Sequence, residues 1–366
     1  MNQIIYIPIT MDLDFAYYER LMRQDNIRTI SFNSLRNSDI IFNLGTELYN
    51  FATTNLILEL CLAISTSEAY GATDLYIPIY YSQIEQFSDK ADMFVTCIKK
   101  LSKKATLKKI RLHFPFDTDV DETSEYEINF SLNSFIPSPN TSVITIFSGG
   151  LDCTVASSYL HQFSLIQHHL FYNYGQNNLS EEMECAIKQF KTEDKLTDSL
   201  LVDNMLYSFF INITFSSPLL SQKYITVEKI TEEYVPFRNS IFIARALEYA
   251  KQNNSTFIVT GSHLDDRNSP DNSPEFYGIW QSLLDSTKRF KQIRLLPILF
   301  KIGGKTEIVK LGNELGVDFC NTWTCHNNSE NSNKLIQCGE CNDCITRRKS
   351  FYINGLTDPL EYKRDR

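Results

Sequence analysis

The stretch Val143-Ile144-Thr145-Ile146-Phe147 followed by Ser148-Gly149-Gly150-Leu151-Asp152 decides how this chain is read. The first five residues are apolar or β-branched and predict a buried strand. Thr154 to Leu160 reads as a helix. A strand that ends in Ser-Gly-Gly and opens into a helix makes an anion cradle. The glycines lack the Cβ that would block close backbone approach. Their N–H groups, the Ser148 hydroxyl and the helix start then face a phosphate. The lysine-bearing GxxxxGK[ST] loop is absent, so this cradle is of another type. Asp152 beside it reads either as a helix cap or as a Mg²⁺ contact.

Outward from this loop the chain alternates strand and helix. Strands are predicted at Val143 to Phe147, Ser164 to Tyr172, Thr256 to Thr260 and Ile293 to Ile298. Helices are predicted at Asp152 to Gln162, Ser180 to Lys191, Pro236 to Gln252, Glu275 to Lys288 and Lys305 to Leu315. Such alternation predicts an α/β fold, a doubly wound parallel sheet with ligands at the carboxyl ends of its strands. Gly261, like the Ser-Gly-Gly loop, sits at such an end.

The preceding part reads as an α+β domain. Gln3 to Ile9, Asp39 to Leu44, Asp74 to Ile79, Leu107 to Phe114 and Glu125 to Phe130 read as strands. Thr46 to Ser67 reads as an amphipathic helix and Ala91 to Lys104 as a second one. A Pro/Ser/Asn-rich connection from Leu132 to Ser142 places the boundary, giving domains 1–140 and 141–366.

Cys325, Cys338, Cys341 and Cys344 form Cys-x12-Cys-x2-Cys-x2-Cys in a C-terminal lobe. Four thiolates at this spacing predict a tetrahedral structural Zn²⁺ site, with an iron–sulfur cluster as the rival. Cys61, Cys97, Cys153, Cys185 and Cys320 read as small buried apolar residues. The net charge of −9 argues against general nucleic-acid binding, which needs clustered Lys and Arg. The start carries no basic, then apolar, leader, and the most apolar helix candidate, Asn55 to Ser65, is interrupted by Glu59 and too short to span a bilayer. No membrane association and a cytoplasmic location are therefore expected.

These motifs together resemble the QueC family of N-type ATP pyrophosphatases, the PP-loop enzymes. Ser148-Gly149-Gly150-Leu151-Asp152 looks like their pyrophosphate loop, with Cys153 where Ser is common. Tyr174-Gly175-Gln176, Tyr234-Val235-Pro236-Phe237-Arg238-Asn239, Pro270-Asp271-Asn272-Ser273-Pro274-Glu275-Phe276 and the run from Thr322 through the cysteines to Arg347 follow in the family's order. The resemblance covers roughly Val143 to Pro359. Asn173 stands for the family's Asp, Asn272 and Ser273 for Cys-Arg, and Phe237 for Gly. The first ~140 residues have no counterpart in it, a domain-sized addition. The chain looks more like the extended QueC-like proteins known in bacterial anti-phage operons, including Qat systems and type IV CBASS, than like the housekeeping enzyme.

The resemblance implies an ATP-dependent ligase. ATP adenylates the carboxylate of 7-carboxy-7-deazaguanine or a close analogue, pyrophosphate leaves, and an amine attacks to give an amide or nitrile. It implies an ATP site at Ser148, Gly149, Gly150, Leu151, Asp152 and Gly261, and catalytic roles for Asp152, Arg238 and Lys305. Lys305 reads either as a phosphate ligand or as a solvated lysine at a helix start. Substrate contacts fall to Tyr174, Gln176, Asn239, Asp266, Asp271, Glu275 and Phe276; helix capping is the other reading of the carboxylates. His263 and His326 are either acid–base groups or structural. The added domain is expected to present a partner protein's amine, or else to support dimerisation or stability. A tRNA- or nucleotide-modifying PP-loop enzyme and a zinc-stabilised nucleotide-binding adaptor are the competing functions.

Overall fold

A computed structural model describes residues 3–7, 27–31, 55–116, 137–192, 198–212, 234–327, 329 and 335–363. The strands expected at Asp39 to Leu44 and Glu125 to Phe130 lie outside these residues, as does the first part of the helix expected from Thr46.

The sheet that carries the loop has five parallel strands. They are β5 (Ser142–Ile146), β6 (Ile166–Tyr172), β7 (Ser199–Asp203), β8 (Phe257–Val259) and β9 (Arg294–Leu296). Their order is β7-β6-β5-β8-β9. The chain winds outward in one direction from β5 and then in the other, so its C-terminal end is the crevice of a doubly wound fold. Helices α4 (Leu151–His161), α5 (Leu179–Thr192), α7 (Arg238–Gln252), α8 (Pro274–Ser286) and α9 (Lys305–Glu314) flank it. Their bounds agree with the sequence reading to within a few residues. β7 and the short helix α6 (Met205–Asn212) were not anticipated, nor was α10 (Asn342–Ile353), which follows the cysteines. β8 is buried along its whole length, as a strand covered on both faces must be.

The N-terminal part differs from the α+β expectation. Its described strands β1 (Gln3–Ile7), β2 (Ile27–Ser31), β3 (Asp74–Tyr76) and β4 (Arg111–His113) pair in parallel, in the order β2-β1-β3-β4. Helices α1 (Leu56–Ala69), α2 (Tyr81–Phe87) and α3 (Ala91–Ala105) lie between β2 and β4 in the chain. Parallel strands need crossovers, and α2 and α3 lie in the one that joins β3 to β4. α1 is not amphipathic as expected: all of its residues are buried, Glu59 and Glu68 included. One side of it faces its own sheet and another faces α7, so no solvent face remains.

The hydrophobic core crosses the boundary placed between residues 140 and 141. Leu58, Leu62 and Phe94 join Phe237, Ile241, Trp280 and Phe290 in one cluster. α1 packs along α7, and α3 along α8. Hydrogen bonds reinforce the seam. Asn55 caps α1 with its Oδ1 and donates its Nδ2–H to the Ala244 carbonyl at 3.0 Å. The Ser65 hydroxyl donates to the Pro236 carbonyl at 2.8 Å. Cys61, Cys97, Cys153 and Cys185 are buried as expected, but Cys320 is exposed. It sits in a single 3₁₀ turn in which Phe319 takes the inward position. Among the described residues no helix is long and apolar enough to cross a membrane.

α9 crosses α4 closely at Gly312. A Cβ there would lie 2.6 Å from Phe319 Cζ and 2.7 Å from Val155 Cγ2. Gly312→Ala is expected to cost about 1–3 kcal/mol through overpacking. A denaturant midpoint equal to that of the parent would show that the Phe319 ring swings aside and that the contact is not tight.

Candidate active site

The loop after β5 is built by close packing. Gly149 has φ +72°, and a Cβ there would lie 2.5 Å from both Ala186 N and the Glu182 carbonyl of α5. Both the backbone angle and the missing space demand glycine. Gly150 caps α4, its N–H donating to Ser148 Oγ at 3.3 Å and its carbonyl accepting the Thr154 hydroxyl at 2.8 Å. Cys153 stands where a hydroxyl is common, and its sulfur accepts the Ser148 N–H at 3.3 Å. Gly261, at the end of β8, would place a Cβ 3.1 Å from Cys153 N. The ends of β5 and β8 therefore meet at the start of α4. The first N–H groups of that helix have no intrahelical partner and carry its positive dipole end.

Two groups of charged side chains flank this loop. In the first, Asp152 in the opening turn of α4 pairs with Lys305, the first residue of α9. Lys305 is buried, so the reading of it as a solvated lysine is not what the structure shows. His263 Nε2 lies 3.8 Å from Asp152 Oδ1 and 3.8 Å from Asp266 Oδ2. Burial pushes the Asp152 carboxyl up, but Lys305 and His263 outweigh it and hold the group below its ordinary value. Burial dominates at Asp266 and raises it, against the pull of His263. Asp265, which the sequence reading passed over, accepts the Lys305 N–H at 2.8 Å. It fills the N-terminus of α9, so the anion site there is taken by the protein itself.

In the second group, Arg238 reaches Tyr174, with 3.3 Å from its Nη1 to the phenol oxygen. Burial works against the guanidinium, but Tyr174, Asp271 and Glu182 together raise its pKa above the ordinary value. Asp271 is buried and accepts the Asn239 N–H at 3.3 Å, while Asn239 Nδ2 donates to the Asp271 carbonyl at 3.1 Å. Gln176 uses its whole amide within the fold. It accepts from Tyr174 N at 3.0 Å and donates to the Tyr172 carbonyl and to Glu182 Oε2, each at 3.0 Å. Glu182 itself was missed. Nothing local marks it; it matters because α5 carries it against Gly149. Burial pushes its carboxyl up to about 7, against hydrogen bonds from Gln176 and Asn178 and the charge of Arg238. Glu275 and Phe276 are not brought to this site. Glu275 is exposed and pairs with Lys104 of α3 at 2.5 Å, and Phe276 is wholly buried in the core.

Two polar atoms stand out. Asp152 Oδ1 and Arg238 Nε are both shielded from solvent and have no hydrogen-bond partner among the described residues. An acceptor oxygen and a guanidinium donor on either side of a glycine cradle suit a cation and a phosphate respectively.

The cysteine lobe abuts the same loop. Trp323 N–H donates to the Gly149 carbonyl at 3.1 Å. The four sulfur atoms of Cys325, Cys338, Cys341 and Cys344 lie within 4.8 Å of one another. Metal–sulfur bonds of about 2.3 Å at the tetrahedral angle separate sulfurs by about 3.8 Å. Cys338 Sγ and Cys344 Sγ are 3.8 Å apart. Backbone N–H groups of Asn327, Glu340, Cys341 and Cys344 point at the sulfurs, which stabilises thiolates. The donor set and spacing fit a structural zinc ion. His326 pairs with Asp343 at 2.7 Å beside this lobe, not beside Asp152.

Lys305→Met is expected to leave Asp152 with His263 alone as a neighbouring cation and to cost about 3–5 kcal/mol at neutral pH. Because the Asp152 pKa is depressed, its contribution is present above the unfolded-state pKa of about 3.9 and is lost as pH falls through the folded value. The stability gap between parent and variant should therefore close on acidification. A gap that stays constant down to about pH 3 would refute the pairing.

Comparison with known proteins agrees with this geometry. The model of the family described as "Queuosine biosynthesis protein QueC" matches residues 142–355. A 7-cyano-7-deazaguanine synthase of Haloarcula marismortui is 30% identical over 233 residues, covering 61% of this chain and 95% of that protein. The enzyme of the same name from Hahella chejuensis is 30% identical over 241 residues, covering 64% of this chain and 98% of its own. The 7-cyano-7-deazaguanine synthase 2 of Sulfurisphaera tokodaii is 31% identical over 261 residues, covering 67% of this chain and 54% of that one. With its phosphate loop, its flanking charges and its cysteine lobe all inside the matched segment, the chain belongs to the QueC family.

Proposed function

We propose that the protein is an ATP-dependent C–N ligase that adenylates the carboxylate of 7-carboxy-7-deazaguanine or a close analogue and passes the acyl group to an amine. The observation that carries this reading is the Gly149 cradle at the sheet's switch point, flanked by Asp152 Oδ1 and Arg238 Nε. A carboxylate is a poor electrophile because its leaving group is oxide or hydroxide. Adenylation replaces that group with AMP. The Ser148–Leu151 backbone and the N-terminus of α4 hold the departing pyrophosphate, and Arg238 neutralises its charge. Lys305 holds Asp152 ionised, and Asp152 is the residue that would hold Mg²⁺; the ion would offset charge on the phosphate oxygens. Tyr174 and Asp271 border the position of the acid substrate, with Asn239 and Gln176 fixing them. A carboxylate such as Asp271 or Asp266 suits the N1–H and exocyclic amine of a deazaguanine. Cys325, Cys338, Cys341 and Cys344 would hold zinc, which fastens the lobe carrying Trp323 against the loop.

The acceptor has two readings. Ammonia gives the amide and, with a second ATP, the nitrile. A partner protein's amine is the other, and the residues before 142, which lie outside the matched family segment, motivate it. That reading carries with it a setting in anti-phage defence, action in the cytoplasm and an accessory domain at 1–140 that presents the partner.

Pure protein is expected to exchange pyrophosphate into ATP only when 7-carboxy-7-deazaguanine is present. Asp152→Asn should lower that exchange about 100-fold. No exchange by the parent, or undiminished exchange by Asp152→Asn, would sink the assignment. Mass spectrometry of reactions with ammonium or with a candidate partner protein separates the acceptors. Metal analysis should find stoichiometric zinc in the parent and none in Cys341→Ser.

A further inference from the structure

The turn that delivers Arg238 is strained. Phe237 adopts φ 56° and ψ 20°, a left-handed conformation that residues with a β-carbon rarely take. Such a residue persists only where its surroundings over-determine it. Its ring is wholly buried in the shared core. Its N–H donates to the hydroxyl of Tyr234 at 3.3 Å. That hydroxyl lies 2.8 Å from Glu68 Oε2 and 2.9 Å from the Ala105 carbonyl. Ser65 meanwhile donates to the Pro236 carbonyl. The turn is thus held from the end of α1 and the end of α3, both in the part of the chain that precedes the family segment.

The Tyr234 hydroxyl has one hydrogen and faces two acceptors, Glu68 Oε2 and the Ala105 carbonyl. If Glu68 is ionised, one acceptor goes without. If Glu68 carries a proton on Oε2, every group is satisfied. Glu68 donates to Tyr234, Tyr234 donates to Ala105, and Phe237 N–H donates to Tyr234. The other oxygen, Oε1, accepts from Leu107 N at 2.5 Å and Lys108 N at 3.1 Å in either state. The charged and titratable groups facing Glu68 are Tyr234 and, across the turn, the Asp271 carboxylate, which disfavours a second negative charge. Among the described residues no cationic side chain pairs with it.

We propose that Glu68 is a positioning residue of the active site, which in its protonated state locks Tyr234 and through it the Phe237 turn that aims Arg238. Loss of the proton takes the Tyr234 hydrogen away from Ala105 and loosens the turn. Burial favours the locked state, pushing the carboxyl up to about 7. The lock rests on the reading of Arg238 as a phosphate contact only for its effect on turnover; the hydrogen-bond network stands without it. This gives the N-terminal part a role within its own chain, as the scaffold of one catalytic loop.

The test compares the full-length parent, Glu68→Gln and Glu68→Ala between about pH 5 and pH 9. Amide exchange of the segment 234–245, corrected for intrinsic rates, reports the turn. ATP–pyrophosphate exchange with the acid substrate reports turnover. In the parent, protection of the turn should fall above a midpoint near 7, and kcat/KM for ATP should fall with it by up to about tenfold per pH unit. Glu68→Gln should be protected and active across the range with no such midpoint, because its carboxamide donates to Tyr234 and accepts from Leu107 and Lys108 at every pH. Glu68→Ala should be unprotected and slow throughout; if it does not fold, the comparison of parent with Glu68→Gln decides. Stability gives a second readout. A raised carboxyl pKa stabilises the fold below the unfolded-state value of about 4.3, and that gain is lost as pH rises through 7. The parent's Tm should therefore drop further over this span than that of Glu68→Gln, which keeps the decline due to the raised Glu182 carboxyl. Equal protection of the parent at both ends of the range, or the same midpoint in Glu68→Gln, overturns the lock. A protection change in a parent that never turns over ATP supports the lock and counts against the proposed function.

Discussion

A helix backbone occupies the place where residue 149 would carry a side chain. The Ala186 amide and the Glu182 carbonyl lie 2.5 Å from that point, and everything else around the loop follows from so close an approach. It brings α5 against the β5–α4 turn and so sets Glu182 beside the phosphate cradle. It leaves the Gly149 carbonyl facing outward to receive Trp323 N–H, which ties on the cysteine lobe. With Gly261 touching Cys153 from the other side, the loop is clamped among three elements before any ligand arrives. Such prior ordering is what lets backbone dipoles act on charge without reorganising.

Charge is handled by pairing across the fold, not along the sequence. Asp152 and Lys305 neutralise each other at the starts of two helices, and Asp265 takes the helix end that Lys305 would otherwise repel. This arrangement resolves an apparent conflict, since a lysine at a helix N-terminus is unfavourable unless an anion accompanies it. On the far side, Arg238 is surrounded by Tyr174, Asp271 and Glu182, no one of which pairs with it tightly. A guanidinium held among partial partners, with its Nε unsatisfied, remains able to take a phosphate.

The N-terminal part is not a bystander to this site. Its buried helix α1 shares a core with α7 and supplies the hydroxyl and carboxyl that hold the turn ahead of Arg238. At Phe237, which stands for the glycine of the pattern it resembles, the backbone takes a left-handed shape and the ring is accommodated in the core. Packing and hydrogen bonds hold a geometry that glycine would adopt freely.

How much of this was legible depended on distance along the chain. The Ser148–Asp152 loop, the strand–helix alternation after it and the four cysteines were readable, because turns, periodicity and ligand spacing are local. The short strand β7 and helix α10 were not, since the one is an edge and the other hides behind its cysteines. Glu182 and Asp265 gave no signal, and Glu275 and Phe276 pointed the wrong way, because a carboxylate's role depends on what is folded against it. A parallel α/β fold, its glycine loop and its four-cysteine lobe are written locally in the sequence. That Lys305 meets Asp152 across 153 positions and Glu68 meets Tyr234 across 166 is set by the folded chain, because burial in a shared core, not spacing, selects those partners.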